Sequence, residues 1–419
     1  MFNLPRGTRD FSSKEMQKRR YIEEIMRSTF NSYGYNEIQT PTFETLELFK
    51  AKSGQEIMEE LYFFKDKGNR DLALRPELTA PVIRFYVDKL QMEPKPIKLF
   101  YFGNCYRYDR PQKGRYREFR QAGCEIIGTN SPQAYAELIT LAYKILENSG
   151  VADLKLNIGN LTILSSIFNQ YKLTRDQQKY LIPLIDKSLF DDILIALKDF
   201  GIKSADAENL IDLLQSTDLK TIKNFLKDDS VKNEIEQLEQ TLRLLEKAFG
   251  IKNYQIQMNI VRGLDYYKGI VFEIEAPILG AEKQLCGGGA YELISLFGGR
   301  EAPSAGFAIG FDRTIVALES ENYEFPITKL DIYVIPLGED IIEIAIQIVQ
   351  TLRNKGFTVD LDLLNRGLGK SLKYASSLNA KNVIIIGSNE IEQDSVTIRD
   401  METGKQKLIK IKDIAEFIC

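Results

Sequence analysis

Residues 97–127 decide the reading of the fold: Ile97-Lys98-Leu99-Phe100-Tyr101-Phe102, then Arg107-Tyr108-Asp109-Arg110-Pro111-Gln112-Lys113-Gly114-Arg115-Tyr116-Arg117-Glu118-Phe119-Arg120-Gln121, then Cys124-Glu125-Ile126-Ile127. The outer runs have the β-branched and aromatic content of strands, and the turn residues Pro111 and Gly114 lie between them. The spacing predicts a hairpin with six basic residues in the fourteen positions from 107 to 120. Shorter β-like runs precede it at Leu61-Tyr62-Phe63-Phe64 and Leu72-Ala73-Leu74. Further upstream, Tyr21, Ile22, Ile25, Met26, Thr29 and Phe30 recur at helical spacing within 14–33, a run closed by Gly34. Downstream, 133–149 reads as a helix ending at Gly150. Strands alternate with helices irregularly and without βαβ order, which predicts an α+β domain built on an antiparallel sheet.

Outward from this core the character changes. From 169 to about 250 the chain is rich in Leu, Ile, Lys and Asp, with only Gly201, Gly250 and Pro183 as breakers, and it reads as a helical insertion. Strand signals resume at 254–260 and at Ile270-Val271-Phe272-Glu273-Ile274-Glu275, followed by the Gly-rich segment Cys286-Gly287-Gly288-Gly289-Ala290-Tyr291. A boundary falls at Phe325-Pro326-Ile327-Thr328. Beyond it, strands at 331–335, 357–361 and 382–386 alternate with helices at 339–355 and 369–378, before a β-like run at 395–399 and a closing helix. That order predicts a small α/β domain with a mainly parallel core sheet. The expected domains are therefore 1–168 and 253–326, together one α+β domain, with 169–252 inserted into it and 329–419 following.

With 419 residues, the chain is too long for one ordinary core. Its 44% hydrophobic and 27% charged content is that of a soluble globular protein, and no apolar stretch is long enough to span a bilayer. The start, Met1-Phe2-Asn3-Leu4-Pro5-Arg6-Gly7, lacks the apolar core of a secretory signal. Cys105, Cys124, Cys286 and Cys419 are scattered without CxxC spacing, so neither a disulfide framework nor a zinc site is suggested, and a reducing cytoplasm is expected. The chain contains no histidine. Ser-His-Asp and Cys-His nucleophiles, imidazole acid–base catalysis and His-ligated metals are thereby excluded. Chemistry has to run on carboxylates, Arg, Lys, Tyr and a bound metal. A formal charge of -4 does not advertise nucleic-acid binding, but a local basic face can bind phosphates on an acidic protein.

The basic hairpin can hold a triphosphate and a nucleic-acid backbone, or be a solvated charged loop. Gly306-x-x-x-Gly310-x-x-Arg313 puts an arginine at a helix start after a strand whose glycines allow a ligand close to the backbone; tight strand–helix packing would give the same pattern. Neither run is a P-loop, and Gly287-Gly288-Gly289 lacks the dinucleotide spacing. Arg262-Gly263-Leu264-Asp265-Tyr266-Tyr267 concentrates Arg, Asp and two Tyr at a strand end, as a site or as an ordinary loop. In Leu74-Arg75-Pro76-Glu77-Leu78-Thr79, Glu77 either caps the helix starting near Thr79 or binds an ammonium group.

Together and in this order, these segments resemble the class II aminoacyl-tRNA synthetases. Pro41 within 34–43 is similar to the proline of that class's dimer-forming first motif, 107–121 to its second motif and Gly306–Arg313 to its third. Arg262–Tyr267 and the full string Arg107–Gln121 are more specific and resemble the histidyl-tRNA synthetase family. The likeness covers nearly the whole chain. It departs at Asp109, where the family usually has Glu, and at Gly288-Gly289-Ala290-Tyr291-Glu292, where Gly-Gly-Arg-Tyr-Asp is usual.

The resemblance implies a class II antiparallel-sheet catalytic domain with a helical insertion and a C-terminal α/β anticodon-binding domain. It implies a cytoplasmic homodimer that forms histidyl-adenylate from histidine and ATP with Mg2+, then charges tRNA(His), with no membrane partner. Arg107 and Arg262 would flank the α-phosphate and reach the histidine, while Arg115, Arg313 and Asp109 would serve the rest of the ATP. Glu77, Thr79 and Gln121 would hold the α-ammonium, Glu125 and Tyr267 the imidazole, and Tyr266 and Tyr291 the wall. No protein metal ligand is assigned. For tRNA phosphates the candidates are Lys113, Arg117, Arg366, Lys370 and Lys373, although residues 329–419 hold 12 Lys/Arg against 13 Asp/Glu and do not suggest RNA by charge. The alternative is a non-catalytic, histidine-sensing regulatory subunit of histidine biosynthesis. Such a protein usually lacks the C-terminal domain and the catalytic arginines.

Overall fold

The computed structural model describes residues 2–53, 56–112, 114–226, 231–260, 267–326 and 329–418. The chain divides into two compact units, Met1–Phe325 and Pro326–Cys419.

Unit 1 opens with helix α1 (Ser13–Ser32), one residue from the predicted span at each end. Ser12 caps it through a reciprocal box with Glu15, and Gly34 at φ +75° turns the chain away. Its buried face, Ile22, Met26 and Phe30, lies on the main sheet, where the Phe30 ring stacks on Phe100 at 4.8 Å. Strands β1 (Asn36–Glu37), β2 (Phe43–Thr45), β3 (Phe63–Lys65) and β4 (Asp71–Leu74) follow, with helix α2 (Leu46–Ser53) between β2 and β3. Strands β2, β4 and β3 pair as a small antiparallel sheet that leaves Phe43, Phe63 and Phe64 exposed. Helix α3 (Thr79–Phe85) leads to the predicted hairpin, β5 (Ile97–Tyr106) and β6 (Glu118–Ile127).

Helix α4 (Pro132–Asn148) starts at the Ser131 cap with Pro132 in its first turn, and strand β7 (Lys155–Asn160) follows. The helices begin at Leu161, earlier than residue 169: α5 (Leu161–Gln170), α6 (Arg175–Asp186), α7 (Phe190–Asp199), α8 (Ser204–Gln215), α9 (Leu219–Phe225) and α10 (Lys232–Lys247). Their apolar side chains, among them Leu181, Leu210 and Leu238, join those of the sheet in one continuous core. Strands β8 (Tyr254–Ile256), β9 (Tyr267–Glu275), β10 (Gln284–Tyr291) and β11 (Ser304–Gly310) and helix α11 (Phe311–Ser320) complete the unit. The main sheet runs β1-β5-β6-β11-β10-β9-β7-β8, antiparallel throughout its middle and parallel only at its two edges. The Gly-rich run 286–291 is the inner strand β10, which reading for side-chain alternation left unassigned because three successive glycines carry no side chain.

In unit 2, β12 (Ile332–Pro336), helix α12 (Ile342–Asn354), β13 (Val359–Leu361), helix α13 (Leu368–Ser377), β14 (Asn382–Ile386), helix α14 (Ser388–Glu392), β15 (Ser395–Asp400), β16 (Gln406–Lys410) and helix α15 (Ile414–Ile418) form one layered body. The sheet order is β13-β12-β14-β15-β16, with the first three strands parallel and the last two added antiparallel. Alternate residues of β12 face two separate cores: Ile332 and Val334 meet α12, Tyr333 and Ile335 meet α13. That two-sided burial explains its continuous apolar run. Among the described residues no helix is long and apolar enough to cross a membrane.

Candidate active site

The site face of the main sheet is set by the register of β5, β6 and β11. Gln121, Gly123 and Glu125 alternate onto one side of β6, opposite Gly103, Tyr101 and Leu99 on β5 and Gly310, Ala308 and Gly306 on β11. A Cβ on Gly306 would overlap the Glu125 carboxylate, and one on Gly123 would lie 2.7 Å from the Tyr101 hydroxyl oxygen. The glycines therefore let a carboxylate and a phenol lie flat over the strands.

Glu125 is 1% exposed. The Tyr101 hydroxyl donates to its Oε1 at 2.9 Å and the Tyr291 hydroxyl to its Oε2 at 2.6 Å. Burial pushes the carboxyl up from 4.5 to about 8, against hydrogen bonds from Tyr291, Tyr101 and Thr79 that favour the charged form. Both tyrosines are held well above the usual phenol value by burial and by the neighbouring Glu125, so they remain donors. Tyr267 faces Tyr291 across β9 and β10, ring centroids 6.4 Å apart.

Glu77 occupies the start of α3. It accepts the Thr79 amide at 2.7 Å and the Ala80 amide at 3.0 Å, and the Lys52 ammonium lies 3.2 Å from Oε2. The capping alternative is thus realised by a residue two positions before the helix, and Lys52, 8% exposed, is an ion partner that sequence reading missed. Arg107 donates from Nε to the Pro76 carbonyl at 2.9 Å, tying the hairpin to this segment.

Arg107, Asp109, Arg115, Gln121, Tyr267 and Arg313 line one cavity of about 450 Å3. Within it the expected nucleotide residues already pair. Arg115 forks onto Asp109 at 3.0 and 3.2 Å. Arg313 meets Glu282 at 2.6 Å and donates to the carbonyls of Gln284 and Gly114. Asp312, next to it and 3% exposed, accepts Arg9, Arg19 and the Arg120 amide at 2.6 to 2.7 Å, so the start of α11 is clamped to β6 and to the N-terminal segment. Arg117 spends its guanidinium on the Asp109 carbonyl and the Tyr108 ring. Arg262, Tyr266 and Lys113 lie outside the described residues.

In unit 2, buried Asp362 accepts the Leu364 and Arg366 amides, the Arg366 guanidinium at 2.7 Å and the Ser371 hydroxyl at 2.6 Å. Arg366 also stacks over Tyr374, while Lys370 and Lys373 are exposed one turn apart on α13.

The family model described as "Histidyl-tRNA synthetase" matches residues 7–314, about three quarters of the chain, and that described as "Anticodon binding domain" matches 331–419. A histidine--tRNA ligase of Methanococcus maripaludis is 42% identical over 99% of this chain and 99% of its own length. One from Methanocaldococcus jannaschii is 42% identical over 100% of this chain and 99% of its own. The chain belongs to the histidyl-tRNA synthetase family. The crystal structure of the apo histidyl-tRNA synthetase of S. aureus matches all of this chain with a TM-score of 0.75 at 30% identity, as the class II α+β architecture requires. Two departures from the family pattern now have places. Glu292 is exposed and paired with Lys268 at 2.8 Å, and Ala290 is a buried β10 residue next to Tyr291. Tyr101, Lys52, Glu282 and Asp312 escaped the sequence reading. For Tyr101 a signal existed, since it lies in the quoted run two strand positions from Gly103; the other three carry none.

Proposed function

We propose that the protein activates histidine with ATP and passes the histidyl group to tRNA(His). The observation that carries this reading is a juxtaposition. A buried carboxyl with a tyrosine hydroxyl on each oxygen is linked, through Tyr267 packed on Tyr291, to a cavity that Tyr267 lines and guanidinium groups rim. In the first step a histidine carboxylate oxygen attacks the α-phosphorus of ATP, the bond to the β-phosphate oxygen breaks and pyrophosphate leaves. The attacking carboxylate is already ionised at neutral pH, so the step needs no general base, which suits a chain free of histidine. Arg107 and Arg262 stabilise charge at the α-phosphate, and Arg115 and Arg313 hold the terminal phosphates, with the adenine near Asp109 and Arg313. The described carboxylates of the cavity are engaged by protein donors, Glu275 by Lys283 and Glu282 by Arg313. Mg2+ is assigned to the nucleotide it arrives with, and no protein ligand is assigned to it.

Glu125 and Tyr267 read the imidazole nitrogens, with Tyr266 and Tyr291 as the wall. Glu77, Thr79 and Gln121 take the α-ammonium. A carboxylate has about four acceptor positions, and Glu77 uses three on Thr79, Ala80 and Lys52, leaving one. In the second step a terminal ribose hydroxyl of the tRNA takes the histidyl group and AMP leaves. Residues 329–419 bind the anticodon, with Arg366, Lys370 and Lys373, and Lys113 and Arg117 near the hairpin, on phosphates. The exposed Phe43 of the first motif, with Phe63 and Phe64 beside it in the small sheet, supports a homodimer, and a cytoplasmic location goes with the proposed activity. The regulatory alternative is disfavoured by the retained arginines and the C-terminal match. Histidine-dependent ATP–pyrophosphate exchange, followed by charging of tRNA, tests the activity, and a sedimenting monomer with full charging would refute the dimer.

A further inference from the structure

Between β9 and β10 a short 3-10 turn, Pro277–Glu282, ends at Glu282, whose carboxylate is a hub. Oε2 lies 2.6 Å from the Arg313 guanidinium at the start of α11. Oε1 accepts the Gln112 side-chain amide at 2.6 Å and lies 3.9 Å from Arg115 Nη1. Gln112 and Arg115 close the hairpin turn by reciprocal backbone hydrogen bonds, and the Gly114 carbonyl in that turn accepts Arg313 Nε at 3.1 Å. One carboxylate thus joins three elements distant in sequence at the wall of the 450 Å3 cavity.

From this geometry we infer that Glu282 is an internal competitor for the terminal phosphates of the nucleotide. The inference rests on the assignment of Arg115 and Arg313 to those phosphates. A carboxylate facing a guanidinium and an amide presents them with the charge sign and acceptor geometry of a phosphoryl group. While the cavity holds no nucleotide, Glu282 neutralises Arg313, draws Arg115 inward and keeps the hairpin turn against α11. An incoming triphosphate takes over the same N–H donors, because the Nη2–H that donates to Glu282, at an N···O distance of 2.6 Å, cannot serve two anions at full strength. After the α-phosphate bond breaks, Glu282 returns to Arg313 and displaces pyrophosphate. Glu282 is in this sense a positioning residue whose charge weakens the binding of substrate and product phosphates, and so hastens release of a highly charged product.

The test reads a sign that a purely structural role would reverse. Glu282→Gln keeps the shape and an acceptor oxygen but removes the charge. Pyrophosphate binding, measured by calorimetry with Mg2+ and pyrophosphate alone, is expected to tighten about two- to fivefold, the scale of one part-exposed ion pair. The KM for ATP should fall with it, the KM for histidine should stay unchanged, and inhibition of charging by pyrophosphate should strengthen. Glu282→Asp retains the charge but withdraws it by one methylene, so it should also bind pyrophosphate more tightly than the unsubstituted protein, and it serves if the Gln variant fails to fold by circular dichroism. If the unsubstituted protein catalyses exchange while the folded variants bind pyrophosphate no more tightly, or more weakly, the inference alone is overturned. Absence of exchange in the unsubstituted protein would instead sink the nucleotide assignment and this inference with it.

Discussion

Replacing Glu125 by glutamine removes the ionisable proton from the most enclosed carboxyl of the site while keeping its volume, and the structure sets both the sign and the ceiling of the effect. Burial raises this carboxyl from 4.5 to about 8. Below pH 4.5 the group is protonated in folded and unfolded chains alike and imposes no penalty. As pH rises from 4.5 to about 8 the unfolded chain releases the proton while the folded one retains it, so the folded state loses stability across that window and loses no more above it. A displacement of this size corresponds to at most about 5 kcal/mol at 1.36 kcal/mol per tenfold. The amide has one acceptor oxygen for the two hydroxyls of Tyr101 and Tyr291, and its NH2 must find a phenol oxygen, so a net gain on the order of 1–3 kcal/mol is expected at pH 8. Urea denaturation of both proteins at pH 5, 6.5 and 8 measures it. The difference between them should grow with pH in favour of the variant, and a difference that stays flat would refute the buried-acid reading.

The same proton governs the ligand. Between the ordinary imidazole value of about 6.5 and about 8, the free site and free histidine together carry one proton, which an imidazole–carboxyl pair can share. Above pH 8 binding must take up a proton, so the KM for histidine should climb about tenfold per pH unit. Glu125→Gln should bind histidine more weakly throughout and lack that climb, with little change in ATP affinity.

Gly306→Ala would thrust a methyl group into the Glu125 carboxylate, and is expected to destabilise the fold by about 1–3 kcal/mol and raise the KM for histidine more than that for ATP; equal KM values would separate Gly306 from the pocket. Asp312→Asn leaves Arg9 and Arg19 without their shared anion and should cost about 3 kcal/mol in urea denaturation; a loss under about 0.5 kcal/mol, the scale of a bland surface substitution, would refute the clamp. Arg262→Ala should slow single-turnover adenylation about 10²–10³-fold with the fold intact by circular dichroism, and transfer from supplied histidyl-adenylate should suffer less; equal losses in both steps would end its assignment to the α-phosphate.

Local elements were readable wherever side chains repeat with the backbone's own period. Helix α1 and the hairpin β5–β6 fell close to their predicted spans because Ile22, Met26 and Phe30, or the aromatic run 97–102, mark a buried face directly. Strand β10 was not readable, since Gly287, Gly288 and Gly289 present no side chain to alternate. The early start of the helices at Leu161 escaped because Asn160 is both the last strand residue and the cap of α5.

By itself the sequence determined which chemistry was open to this protein. A chain without histidine, with arginines spaced as Arg107, Arg115 and Arg313, can stabilise phosphates but has no imidazole base. Its motif order placed it beside the synthetase family. Only the tertiary structure decided the state of those groups. That Glu125 holds its proton to about 8 follows from its burial, against the hydrogen bonds of Tyr101, 24 residues away, and Tyr291, 166 away, which favour the charged form. That Arg313 meets Glu282, and Asp312 meets Arg9 and Arg19, follows from strands and helices that the sheet order brings together. Periodicity reports how a segment buries its own face, whereas a charge's partner and its solvation depend on which distant segment packs against it.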